Sequence, residues 1–238
     1  MEIDIVSPSE LNSFSQCPKK WYLGKIGRTG IAIDDSHMIF GREVHKVIGS
    51  YFSRISDNPT DDEIDYQIDE TFQEELSLKD GRFNQKLQRI ISNFKAFEKE
   101  RRKKWKVYRP VFVERKVVYK PFKGVVDFYG LNDGVVIDWK TGGSAELYDS
   151  EIRQGNVYKF LLENNSYPVK KILFCFLDLG RALEVPMTTV GWVMKEYNNM
   201  VDMVRHNQFP KRESKLCEQW CPYILDCQFC KMCLWEGM

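Results

Sequence analysis

Two aspartates and a lysine carry the first chemistry that this sequence offers. In GVVDFYGLNDGVVIDWKTG, residues 124–142, Asp127 is followed by Asp138, and Lys140 comes two positions later. Short β-branched and aromatic runs flank the turn residues Asn132, Asp133 and Gly134, which is a hairpin signal. Side chains two apart on a strand share a face, so Asp138 and Lys140 point the same way. The hairpin can bring Asp127 to that face as well. Two carboxylates and one ammonium at a sheet edge are costly to hold together without a purpose. A hard divalent cation supplies one, because Mg²⁺ or Mn²⁺ takes carboxylate oxygens and keeps water positions open. The lysine can then orient or deprotonate a water beside a phosphodiester. By themselves these three residues also fit a polar strand end with an ordinary ion pair.

Two further groups keep them company. His45 closes the segment GREVH on a helix from Met38 to Ile55, where Val44, Val47, Ile48, Tyr51, Phe52 and Ile55 follow the helical period. Gln154 and Tyr158 lie four apart, on one face of a helix expected from about Glu146 to Leu162. The seven cysteines fall at Cys17, at Cys175, and at five positions between Cys217 and Cys233. The N-terminal MEIDIVSPSE lacks the basic and then apolar order of a signal peptide, so clustered cysteines read as metal or cluster ligands before disulfides. Cys175, inside the apolar run Ile172–Leu177, reads as core packing.

This set resembles the RecB-like branch of the PD-(D/E)XK nuclease superfamily, and most of all its iron–sulfur members, among them the CRISPR-associated RecB-like exonucleases and the nuclease domain of AddB. Their pattern is a histidine on an upstream helix, an aspartate after a small apolar strand, a (D/E)-x-K strand and a Q-x3-Y helix. These fall here on His45, Asp127, Asp138 with Lys140, and Gln154 with Tyr158. The likeness runs from about Ser7 to Cys227. It departs at Val126, where this branch commonly has proline, and at Cys217-x3-Cys221, where two intervening residues are usual.

The resemblance implies Asp127, Asp138, Lys140, Gln154 and Tyr158 as catalytic or substrate groups. It implies a Mn²⁺ or Mg²⁺ site of His45, Asp127, Asp138 and the backbone carbonyl of Trp139. Glu114, on the strand before Asp127, could face the same pocket. It also implies a [4Fe-4S] cluster held by Cys17 with Cys217, Cys221 and Cys227, the last two within C-P-Y-x3-C. A four-thiolate Zn²⁺ site would use the same residues, and ligand identity alone does not separate the two. Cys230 and Cys233 are extra and offer alternative ligands. The implied fold is α/β: a restriction-endonuclease-like mixed central sheet flanked by helices, with a helical N-terminal layer and a C-terminal iron–sulfur-binding tail. As domains this means one unit over 1–238, with a helical layer to about 106, a nuclease core over 107–208 and a cysteine-rich tail over 209–238.

The remaining elements must position these groups. SPSELNSFSQCPKKWYL starts a short helix, capped by Ser7 or Ser9, that carries Leu11, Phe14 and Trp21 inward and brings Cys17 along. Residues 57–75 hold nine acids and no base, a surface helix whose acids favour its N-terminal half. Phe83, Leu87, Ile90, Ile91, Phe94 and Phe97 mark a longer helix, which ends in a basic run to Lys106. Strands follow over Val107–Tyr119, Gly124–Gly130 and Gly134–Trp139, then the Gln154 helix, a strand over Lys170–Leu179, and a helix carrying Val190 to Val204. The sheet is expected to be part antiparallel.

At 238 residues, 43% hydrophobic and 29% charged, the chain has the composition of a globular domain. No apolar run approaches the roughly 18 residues of a membrane span, and a cytoplasmic location is expected. A formal net charge of +1 excludes a polybasic DNA-coating protein but not a local basic groove. Six bases in Lys99–Lys106 against nine acids in Asp57–Glu75 suggest segregated faces, with a salt-sensitive groove for DNA. Trp21, Trp105 and Tyr158 are candidate stacking surfaces for bases. The expected activity is a metal-dependent DNA exonuclease on single-stranded or splayed ends, with CRISPR integration proteins as further partners. The rival readings are a DNA-end binding or trimming module that acts only within a larger complex, and a ferredoxin-like electron carrier. The last leaves Asp127, Asp138 and Lys140 without a role.

Overall fold

A computed structural model describes residues 3–76, 81–131, 133–212, 217 and 221–227. Asn132 of the expected hairpin, and Cys230 and Cys233, lie outside these residues. In chain order the described helices are α1 (Pro8–Gln16), α2 (Pro18–Lys25), α3 (Ser36–Arg54), α4 (Asp61–Glu75), α5 (Asn84–Lys104), α6 (Asp149–Asn164) and α7 (Val190–Arg205). The strands are β1 (Phe112–Tyr119), β2 (Phe122–Gly130), β3 (Val135–Lys140), β4 (Lys171–Phe176) and β5 (Arg181–Glu184). The chain divides into two compact units, one of Met1–Asp35, Lys120–Phe122 and Thr189–Met238, the other of Ser36–Tyr119 and Lys123–Thr188.

The larger unit is a mixed α/β layer structure. Its sheet has the order β1-β2-β3-β4-β5. β2 and β3 pair antiparallel across the expected hairpin, with Gly134 at a φ of +58° that suits glycine. β3 and β4 pair parallel, the connection between them running through α6. The run Lys170–Leu179, expected as one strand, is shorter. β4 ends at Phe176, and a 3₁₀ turn with Gly180 at φ +61° reverses the chain into β5, antiparallel to β4. β5 has no apolar run to announce it because most of its residues are exposed.

On one side of this sheet α3, α4 and α5 bury a common core. Val44, Val47, Ile48, Tyr51 and Phe52 of α3 are buried with Ile64 and Ile68 of α4, Ile90 and Phe94 of α5, and Phe128, Ile137 and Trp139 of the sheet. Thr60 and Glu63 form a reciprocal capping box at the start of α4.

The acids and bases expected on segregated faces are instead neighbours. Lys95 pairs with Asp69 at 2.6 Å, Lys99 with Asp65 at 2.5 Å, and Arg102 with Asp61 at 3.4 Å. The pairs run in opposite order along α4 and α5, as they must for helices packed antiparallel. Lys103 also reaches Asp61, and Lys104 pairs with Glu100 within α5. Arg101 is buried against Glu98. The end of α5 is therefore largely neutralised by the protein's own acids.

The smaller unit shows why the first expected helix is two. Pro18 disfavours the helical region at the residue before it, and Cys17 is extended at φ −157° and ψ 102°. Ser7 caps α1 by accepting the Glu10 N–H at 3.2 Å, a contact of about 1 kcal/mol. Leu11, Phe14 and Trp21 are buried as expected. Ser15 of α1 donates to Glu196 of α7 at 3.3 Å. No helix among the described residues is long and apolar enough to cross a membrane.

Candidate active site

The core fixes both aspartates through their neighbours. Phe128 and Trp139 are buried in the α3–α5 core, where Phe94 and Phe97 each lie 5.4 Å from the Trp139 ring. Alternation along β2 and β3 then turns Asp127 and Asp138 to the other face. There the Trp139 N–H donates to Oδ2 of Asp127 at 2.9 Å, a bond that ties the two strands at the site.

Three ligand-type atoms converge on this point. Nδ1 of His45, on α3, lies 3.3 Å from Oδ2 of Asp127 and 3.4 Å from Oε1 of Glu114 on β1. The ligand atoms of His45, Glu114 and Asp127 all fall within 4.8 Å of one another. Glu114 reaches the cluster from a left-handed backbone, φ +49°, which is uncommon for a non-glycine residue and costs about 1–3 kcal/mol. No residue pattern in the sequence announces that conformation. Gly41, one turn before His45, sits where a Cβ would come 3.0 Å from Oγ1 of Thr141, so α3 abuts the loop that follows Lys140.

Asp138 belongs to a second, contiguous network. Gln154 stands at its centre: Nε2 donates to Oδ1 of Asp138 at 2.9 Å and to Oη of Tyr158 at 2.8 Å, while Oε1 accepts from Nζ of Lys140 at 2.8 Å. Lys140 Nζ also lies 2.8 Å from Oδ2 of Asp138 and 4.5 Å from the centre of the Phe174 ring. That Oδ2 is buried and has no aligned hydrogen-bond donor among the described residues. The Gln154–Tyr158 pair thus ties the lysine and the carboxylate together.

The charges of this cluster act on each other. Burial works against a charged His45 ring, but Asp127, a hydrogen bond with Glu114, and the charges of Asp138 and Glu114 outweigh it and push the pKa up to about 9. Burial, then the charge of Asp138, raises the Asp127 carboxyl well above the usual range, with His45 opposing. Burial also raises the Tyr158 phenol, followed by Asp138 and Asp127, so Tyr158 stays neutral. His45 and Asp127 thus compete for a proton, each raised in part by the other's neighbours. A divalent cation binding at these atoms would have to displace that proton.

In the smaller unit three of the expected cysteines act on the fourth. Burial, then the charges of Cys221, Cys17 and Cys217, raise the Cys227 thiol, while Lys211 lowers it. Cys17 is the N-cap of α2, its Sγ accepting the Lys20 N–H at 3.4 Å. The Cys221–Pro222–Tyr223 segment packs on the chain after α2. Ile31 N–H donates to the Pro222 carbonyl at 2.7 Å, and a Cβ on Gly30 would lie 2.6 Å from Cβ of Pro222. Gly30, unnoticed in the sequence, is what admits this contact. Cys175 is buried in β4 as expected.

Stacking by Trp21 and Tyr158 is not available because both are buried, whereas Trp105 is half-buried. Trp21 is buried against Phe14 at 5.3 Å, Tyr158 is buried in the network above, and Trp105 packs on Phe128 and Arg101.

Among solved structures the chain is similar to a candidate exonuclease from Eubacterium rectale, at 11% identity over 90% of this chain and 92% of that one, with a TM-score of 0.49. No curated protein matches it. A sequence model of the PD-(D/E)XK nuclease superfamily matches residues 5–228. With that match over nearly its whole length, the chain belongs to the PD-(D/E)XK nuclease superfamily.

Proposed function

We propose that this protein is a metal-dependent DNA exonuclease acting on single-stranded or splayed ends. The observation that carries the reading is the convergence of Asp127 and Glu114 on Nδ1 of His45, next to an Asp138–Lys140 pair held by Gln154. The donor set fits a divalent cation: one imidazole and two carboxylates with ligand atoms within 4.8 Å of one another, and the Asp138 carboxylate close enough to raise Asp127. His45, Glu114, Asp127 and Asp138, with the carbonyl of Trp139, would hold Mn²⁺ or Mg²⁺. When bound, the ion supplies charge for the phosphate oxygens and a water of lowered pKa.

The chain's own groups do the rest. Lys140 presents an ammonium whose position is fixed from two sides, by Asp138 and by Gln154, and it orients the attacking water toward the phosphorus. Gln154 keeps the lysine and Asp138 in register, and Tyr158 anchors Gln154. Asp127 is held by the Trp139 N–H, so it does not swing when the substrate arrives.

A [4Fe-4S] cluster on Cys17, Cys217, Cys221 and Cys227 belongs to the same proposal, in a structural role. The influence of Cys221, Cys17 and Cys217 on the Cys227 thiol supports it. In that reading the segment that carries Cys17 and the C-terminal tail are tied together, and residues 1–238 work as one nuclease domain. Trimming of DNA ends in CRISPR spacer acquisition, with integration proteins as partners, or in repair is the setting that the resemblance suggests.

The test is cleavage of end-labelled single-stranded DNA with Mn²⁺ by the wild type and by Asp138→Ala. The wild type is expected to shorten the strand from an end and Asp138→Ala to lose at least about a hundredfold in rate. Equal activity in the two proteins refutes the assignment.

A further inference from the structure

We infer that Arg42 of α3 is the binding group for the phosphate next to the one being cut, an inference that rests on the nuclease reading above. Three observations carry it. The first is angular. At about 100° per residue, Met38, Gly41, Arg42, His45 and Gly49 fall within roughly 100° of arc on α3. Two of these positions already mark the site: His45 is in the ligand cluster, and a Cβ on Gly49 would lie 3.4 Å from Cγ of Glu114. Arg42 therefore stands on the edge of the face that carries the candidate metal ligand, about 4.5 Å along the axis from His45. That step is comparable to the roughly 3.4 Å advance per nucleotide of a stacked strand, and the arginine side chain covers the difference.

The second observation is the charge balance. The bases at the end of α5 are paired with Asp61, Asp65, Glu98 and Glu100. Arg42 is exposed and has no ion-pair partner among the described residues. A guanidinium left unpaired beside a cluster of carboxylates suits a phosphate, which it can hold with two parallel hydrogen bonds.

The third is space. Gly41 brings this edge of α3 against Thr141, directly after Lys140, and a Cβ at Gly142 or Gly143 would meet nothing within 4 Å. Met38, one turn beyond Arg42, is 59% exposed. The stripe is open where a strand leaving the site would run.

The test compares two substrates on the full chain with Mn²⁺: a single-stranded oligothymidylate, and the p-nitrophenyl ester of thymidine 5′-monophosphate, which has one phosphodiester and no neighbouring phosphate. Arg42→Ala is expected to raise KM for the oligonucleotide about tenfold and to cut the preference for oligonucleotide over ester by a similar factor. Its salt dependence of oligonucleotide binding, followed by anisotropy in Ca²⁺ without turnover, should flatten by about 0.7 in log–log slope, the share of one phosphate. Arg42→Lys should restore most of that slope, and Lys104→Ala, which removes a base already paired with Glu100, should change neither quantity. An unchanged slope, or equal losses on both substrates, overturns the inference. A wild type that cuts neither substrate sinks the nuclease reading instead, and the binding slope then still decides whether Arg42 holds a phosphate.

Discussion

Arg101→Met should be among the most damaging single changes outside the candidate site. The Arg101 and Glu98 side chains are 1% and 0% exposed, and they pair through two hydrogen bonds, Nη2 to Oε2 at 2.7 Å and Nε to Oε1 at 3.0 Å. The same guanidinium donates to the Tyr108 carbonyl, and Tyr108 Oη donates to Glu98 at 2.7 Å while bonding Tyr51 Oη. Burial, then the charge of Glu98, raises both phenols, so Tyr51 and Tyr108 are neutral donors throughout. Methionine fills the volume but leaves Glu98 buried with a phenol and no countercharge, and leaves the Tyr108 carbonyl without this donor. Breaking one side of such a pair costs about 3–5 kcal/mol. At roughly 2–4 °C per kcal/mol for a domain of this size, the melting temperature should fall by about 6–20 °C. Replacing both partners, Glu98→Leu with Arg101→Met, removes the orphaned charge, and most of the loss should return. Thermal and urea unfolding of the four proteins measure this. A single variant within about 1 kcal/mol of wild type, or a double variant worse than the sum of the singles, would refute the description of the pair as a buried, mutually dependent unit.

Further outcomes follow from the same structure. A Cβ on Gly155 would lie 2.9 Å from Val185 Cγ1, so Gly155→Val should push α6 from the sheet, cost about 1–3 kcal/mol and misplace Gln154; unfolding midpoints and cleavage rates should fall together. Glu63 accepts the Thr60 N–H, which holds its carboxyl below the usual glutamate range. A lowered folded pKa stabilises above the unfolded value and is lost as pH falls, so the urea-midpoint gap between wild type and Glu63→Ala should be present at pH 7 and close below the glutamate range. If the four thiols hold a cluster, anaerobic protein should be brown and Cys17→Ser should lose the colour and the iron by metal analysis; colourless, zinc-loaded, stable protein would refute it.

What the sequence made legible was local. The helical period of Val44 to Ile55 located α3 and with it His45, and the two-residue spacing of Asp138 and Lys140 put them on one face of β3. Such patterns hold because neighbours along the chain fix them. Glu114 could be read as facing the pocket, but its place against His45 comes with a left-handed backbone that no local sequence signal announces. β5 was missed because an exposed strand has no apolar run to read. The basic end of α5 misled for a related reason. Charge type is written in the sequence, but charge pairing is not. Nine acids and six bases look like two opposed surfaces until α4 and α5 lie antiparallel and consume each other's charge. The count of bases near a candidate nucleic-acid site therefore says little about affinity. What matters is which bases folding leaves unpaired, and by that criterion the isolated Arg42 outranks the run from Lys99 to Lys104.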